Sequence, residues 1–107
     1  MDACFLYVTT ASEDEALGIA RSVVGERLAA CANILGTIRS VFWWQDQVND
    51  DAEVAMILKT RADLVPSLTE RVKALHSYEC PCVVALPIVG GNADFLAWIG
   101  AETTEDA

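Results

Sequence analysis

Phe42, Trp43 and Trp44 stand consecutively in an extended, β-prone run, and a strand points successive side chains to opposite faces. A sheet covered by helices on one side cannot bury all three. Each tryptophan has about 150–250 Å² to bury, worth roughly 4–6 kcal/mol at 25 cal/mol/Å² as an upper bound. Leaving that surface wet on a small domain invites aggregation. The triplet therefore predicts that this segment is buried against neighbouring subunits. It lies in a predicted long strand over residues 30–44, bent or bulged at Gly36, followed by a polar turn over 45–51. A second long strand, 53–60, returns to complete a hairpin.

The flanking segments supply the rest of a sheet and its helices. Residues 3–8 read as a buried strand ending in Thr9-Thr10. Ser12 stands three residues before Glu15 in capping-box spacing, and Leu17, Ala20, Val24 and Leu28 follow at helical spacing. Asp63 is placed to cap a second helix with Pro66 in its first turn and Leu64, Leu68, Val72 and Leu75 on its inner face. His76 falls at the helix end, where the dipole favours a cation. A strand over 82–86 and a short helix opened by Asp94 complete the chain. The order is strand, helix, strand, strand, helix, strand, with a small helix appended. This predicts an α+β, ferredoxin-like split β-α-β repeat in a single domain over 1–107.

The 107 residues are 53% hydrophobic, enough for one core and too apolar for disorder. Acidic side chains outnumber basic ones 16 to 7, for a net charge of −9. Such a surface repels phosphate backbones, so no nucleic-acid partner is expected. No apolar run approaches the roughly 20 residues of a membrane span, and residues 1–8 lack a basic leader region. These features predict a cytoplasmic protein without a membrane partner, its four cysteines reduced.

Five segments in order, 26–34, 40–44, 53–60, 76–81 and 95–99, carry a wider likeness. They include Glu26-Arg27-Leu28-Ala29-Ala30-Cys31-Ala32-Asn33-Ile34, Ser40-Val41-Phe42-Trp43-Trp44 and His76-Ser77-Tyr78-Glu79-Cys80-Pro81. From about Thr9 to Trp98 the chain resembles the CutA family of divalent-cation tolerance proteins. The resemblance implies a homotrimer with long hairpins reaching across subunits and an architectural kinship with PII-type signalling proteins. It also implies an association with copper or another divalent metal, without a settled enzymatic activity. The family pattern reads His-Pro-Tyr-x-x-Pro where this chain has Ser77. Members credited with copper ligation carry a cysteine at the position of Thr9 and paired histidines at Leu75 and His76; here only His76 matches.

Three chemistries compete for the remaining residues. Cys80 and Cys82 flank Pro81, and with His76 they can offer a soft ion such as Cu(I) three donors; the alternative is two small, inert residues at a strand start. Cys31 and His76 are a nucleophile and base in type. They are expected at the same end of the sheet on opposite edges, about 14 Å apart, so that catalysis is open only between subunits and no enzyme is expected within one chain. Lys59 interrupts an apolar run and needs a partner or solvent. With Cys31, Arg39, Trp44, Tyr78 and Glu79 it is a candidate for an inter-subunit small-molecule pocket, or for an ion pair fixing subunit register. Glu13-Asp14-Glu15 at the first helix start disfavours a nucleotide phosphate there. The acidic residues around the hairpin turn lack the spacing and glycine of an EF-hand.

Overall fold

A computed structural model describes residues 2–104. Strand β1 (Ala3–Thr10) leads into helix α1 (Glu13–Gly25), then β2 (Cys31–Trp44) and β3 (Gln47–Arg61). Helix α2 (Val65–Leu75), strand β4 (Val83–Pro87) and helix α3 (Ala93–Ala101) follow. The four strands form one sheet in the order β2-β3-β1-β4, every neighbouring pair antiparallel. Each β-α-β unit is thus split by a strand of the other, as the element order predicted.

Packing follows from alternation along the strands. Leu6 and Val8 of β1 pair with Leu58 and Met56 of β3, all four fully buried. Against this face lie Ala16, Ile19, Ala20 and Val23 of α1 and Leu68 and Val72 of α2. The Ser12 hydroxyl accepts from the Glu15 amide at 3.1 Å, which fixes the α1 N-terminus. At the other end Glu26 accepts a bidentate pair of 2.9 Å bonds from Arg71 of α2.

The start of α2 differs from expectation. A 3-10 turn, Ala62–Leu64, precedes it, and Leu64 is the cap residue without a side-chain cap. Asp63 instead lies 3.1 Å from the Arg61 guanidinium. Pro66 in the first turn costs no hydrogen bond, since that amide has no helical acceptor. At α3 the cap is Asn92, whose side chain accepts from the Asp94 amide; Asp94 sits within the first turn. None of the described helices is long and apolar enough to cross a membrane.

The hairpin overhangs the sheet. Strand β3 pairs with β1 only from Val54 onward, so residues 47–53 and their partners in β2 have no third strand. At about 3.3 Å per residue the overhang is roughly 23 Å long. The polar turn expected over 45–51 contracts to Gln45 and Asp46, both at positive φ (52° and 62°), closed by the pair Trp44–Gln47. Two positive φ values give a turn whose twist matches the strands, so pairing continues to the tip.

Gly36, at φ 104°, forms a bulge that shifts the β2–β3 register between Ile34 and Gly36. Ala32 and Ile34 face the helices, opposite Leu58 and Met56. Past the bulge parity reverses: Thr37 lies opposite inward-facing Val54, and the even residues Phe42 and Trp44 face the side away from the helices. Arg39, Val41 and Trp43 take the opposite side of the overhang.

Candidate functional site

The parity reversal at Gly36 places Phe42 and Trp44 on the same face as Asp51 and Glu53 of β3 and Thr9 of β1. The segment after α2 crosses the end of that face. Together they enclose a cleft of about 560 Å³. Phe42, Trp44 and Tyr78 give it aromatic walls; Asp51, Glu53 and Glu79 supply carboxylates; Thr9, Cys80 and Cys82 complete the lining.

His76 organises the crossing segment. Its side chain is fully buried. Nδ1 accepts from the Tyr78 amide at 3.0 Å, so Nε2 carries the hydrogen and donates to the Thr9 carbonyl at 2.7 Å. The dipole argument for a cation at this position is overridden by these two backbone partners. Glu15 of α1 braces the same turn: one carboxylate oxygen accepts from the Ser77 amide at 2.9 Å, the other from the Ala11 amide at 3.0 Å. Burial raises the Glu15 pKa, but the bonds from Ser77 and Ala11, with His76 nearby, outweigh it and hold the group below the usual carboxylate range.

Tyr78 donates its phenol to Glu53 at 2.9 Å and packs its ring 4.6 Å from that of His76. Burial first, and then the Glu53 carboxylate, push the phenol up to about 12. The Cys82 thiol is also raised, mainly by burial, with a hydrogen bond from Thr9 opposing the shift. Neither group is poised to ionise near neutrality.

Of the six residues expected to share a pocket, Trp44, Tyr78 and Glu79 line the cleft, within a single chain. The other three lie elsewhere. Arg39 pairs with Asp50 on the opposite side of the hairpin. Lys59 finds its partner in α3, with the ammonium 5.4 Å from the Phe95 ring centroid. Cys31 sits in the row Cys31–Lys59–Phe5–Leu86, whereas His76 adjoins Thr9, four residues further along β1. Cys31 and His76 therefore occupy opposite ends of the sheet, which corrects their expected placement at one end. Element direction decides this: β2 starts at the end of the sheet where β3 finishes, and α2 runs from there back to the opposite end before β4.

Metal ligation fares no better within one chain. Both His76 nitrogens are engaged, leaving no free lone pair for an ion. Cys80 and Cys82 share the cleft, but no group of three or more potential ligands gathers among the described residues. The donor set of one chain does not fit a closed metal site. The residues that sequence reasoning missed are Thr9, Glu15, Phe42, Asp51 and Glu53. Face parity counted through the Gly36 bulge would have placed Phe42, Asp51 and Glu53 beside Trp44.

Comparison with known proteins adds a family. Residues 4–102 match the family model described as CutA1 divalent ion tolerance protein. The chain is 46% identical over 98 residues to the divalent-cation tolerance protein CutA of Thermus thermophilus, covering 92% of this chain and 95% of that one. It is 47% identical over 100 residues to rice "Protein CutA 1, chloroplastic", covering 94% of this chain but 56% of the relative. The chain thus spans about half the length of the plant and animal relatives it matches. The solved structure of the periplasmic divalent cation tolerance protein CutA from Archaeoglobus fulgidus superposes with a TM-score of 0.90 at 42% identity, over 94% of this chain and 97% of that one. These relatives overturn the cytoplasmic expectation: one is periplasmic and another chloroplastic. Composition and charge do not encode compartment for such a fold.

Proposed function

The chain belongs to the CutA1 divalent ion tolerance family, and from that premise we propose a self-assembling, non-enzymatic module that serves metal tolerance as a homotrimer with ligand clefts. The observation that carries the proposal is the overhanging hairpin. Val41, Trp43 and Val48 are 67%, 73% and 58% exposed on one side of it, and Phe42 and Trp44 are partly exposed on the other. Two apolar faces on an unsupported hairpin call for two neighbours, one on each side. A closed ring of copies meets that need with one repeated, heterologous contact. Relatives are named as tolerance proteins rather than as enzymes. The separation of Cys31 from a fully engaged His76 argues in the same direction, against a thiol enzyme within one chain.

Copper or another divalent metal is the associated stress. Because no three-ligand cluster gathers among the described residues, the proposed response works through the assembled protein rather than through a cage in each protomer. The test is growth of a metal-sensitive host under copper challenge. Wild type restores tolerance, while a Val41→Ser/Trp43→Ser variant that folds but stays monomeric does not. Equal rescue by the monomeric variant would refute the role of assembly.

A second reading, small-molecule sensing in the cleft, is favoured by its volume of about 560 Å³ and by walls that combine aromatic rings with carboxylates.

A further inference from the structure

We propose that His76 is a proton-operated latch on the segment joining α2 to β4, closed by the neutral ring and opened by acid. The latch goes beyond the assembly and sensing readings, because every contact it uses lies inside one chain. His76 is the only histidine of the sequence. Its side chain is fully buried and makes one hydrogen bond through each ring nitrogen. Nε2 donates to the Thr9 carbonyl of β1, and Nδ1 accepts from the Tyr78 amide, so the ring ties the crossing segment to the sheet. Glu15 of α1 adds a second tie by accepting from the Ser77 amide at 2.9 Å.

Only the neutral ring can hold these bonds. A protonated imidazole is a donor at both nitrogens, so Nδ1–H would meet the Tyr78 N–H across the present 3.0 Å, donor against donor. The amide then loses its acceptor and a charge sits out of water; both costs are relieved when the ring swings out. The groups around the ring do not keep the charge in place. From α1, a Glu15 oxygen lies 3.9 Å from Nδ1, beyond hydrogen-bond reach, and both Glu15 oxygens already accept from the Ala11 and Ser77 amides. For Nδ1–H to reach Glu15 the ring must turn away from Tyr78, which itself releases that amide. From β1, the Thr9 carbonyl is already bonded to Nε2, and Cys82, just before β4, bonds to the Thr9 side chain. Tyr78 packs on the ring at 4.6 Å, and Glu53 and Asp51 of β3 act from beyond its phenol. The closed segment thus takes the neutral ring and the open one the charged ring. Closure is complete above the ordinary histidine range, near pH 6.5, and is lost as pH falls below it. Glu15 stays ionised through this window, being held below the usual carboxylate range.

The test is amide hydrogen exchange of the full chain, read by NMR at Ser77 and Tyr78 from about pH 7.5 down to about pH 5 and corrected for the intrinsic pH dependence of exchange. Protection at both amides should fall by up to about tenfold per pH unit below about 6.5, as uptake of one proton on opening requires, while the amides of β1 keep theirs. His76→Asn leaves an oxygen acceptor near the place of Nδ1 but takes up no proton; its Ser77 and Tyr78 protection should not change over this range. The single imidazole resonance, followed in the same wild-type samples, keeps the test independent of whether that variant folds: ring protonation must track the loss of protection. Constant wild-type protection across the range overturns the inference, as does a ring that protonates with both amides still protected. So does a loss confined to Tyr78, since the segment would then stay closed, or one that spreads through β1, which marks global unfolding. An identical pH response in His76→Asn overturns it as well.

Discussion

Replacing Glu15 by alanine tests the brace that joins α1 to the segment carrying His76. The wild-type carboxylate is 15% exposed and accepts two backbone amide bonds, from Ala11 and Ser77. A hydrogen bond to a charged acceptor contributes about 1.5–3 kcal/mol net. Both donors lie on exposed segments where water can replace the carboxylate, so the low end applies and the pair amounts to about 2–3 kcal/mol. Glu15→Gln keeps one good acceptor and should lose about half of that. The assay is urea unfolding at matched protein concentration, because assembly also contributes to apparent stability. The pH dependence gives a second reading. The native pKa of Glu15 is depressed, so its stabilisation is complete above the unfolded value of about 4.3 and is lost as pH falls through the native value. The gap between wild type and Glu15→Ala should therefore narrow on acidification. An alanine variant as stable as wild type at neutral pH, or a gap that widens in acid, would refute the reasoning.

Other perturbations probe separate parts of the account. Gly36→Ala meets no steric neighbour yet places a side chain at φ 104°, which should cost about 1–3 kcal/mol in urea unfolding through backbone strain alone. Ultraviolet titration should show the Tyr78 phenolate forming only near pH 12, and Glu53→Gln should bring that step down. Since this pKa is raised on folding, the associated stability is present below about pH 10 and is lost as pH rises through the native value. Thiol labelling of the native protein should reach exposed Cys80 first and buried Cys4 last, as burial raises the Cys4 pKa and blocks access.

Much of the architecture was readable because local chemistry and global pattern agree. The Ser12–Glu15 spacing produced a helix cap, and the apolar run within residues 53–60 produced an inner strand of the sheet. Three features escaped for physical reasons. The dipole at the end of α2 is a weaker influence on His76 than two specific backbone partners, and those partners come from Thr9, 67 residues away, and from the turn itself. A single bulge at Gly36 reverses which residues of β2 face which side, so a face assignment made before the bulge fails after it. Lys59 found an aromatic ring instead of a carboxylate, and that ring belongs to a helix whose docking position no local pattern specifies. Within the candidate pocket, the residues carried by the hairpin tip and the crossing segment came together. Cys31 and Lys59, near the base of β2 and β3, and Arg39, on the other side of the overhang, did not.

The central claim is that the apolar hairpin is covered by other copies of the chain. Native mass spectrometry of freshly purified protein at micromolar concentration measures this directly. The account predicts a dominant species at three times the 11.6 kDa chain mass, reduced to single chains by Val41→Ser/Trp43→Ser. A wild-type protein that runs as a clean monomer at that concentration would contradict it.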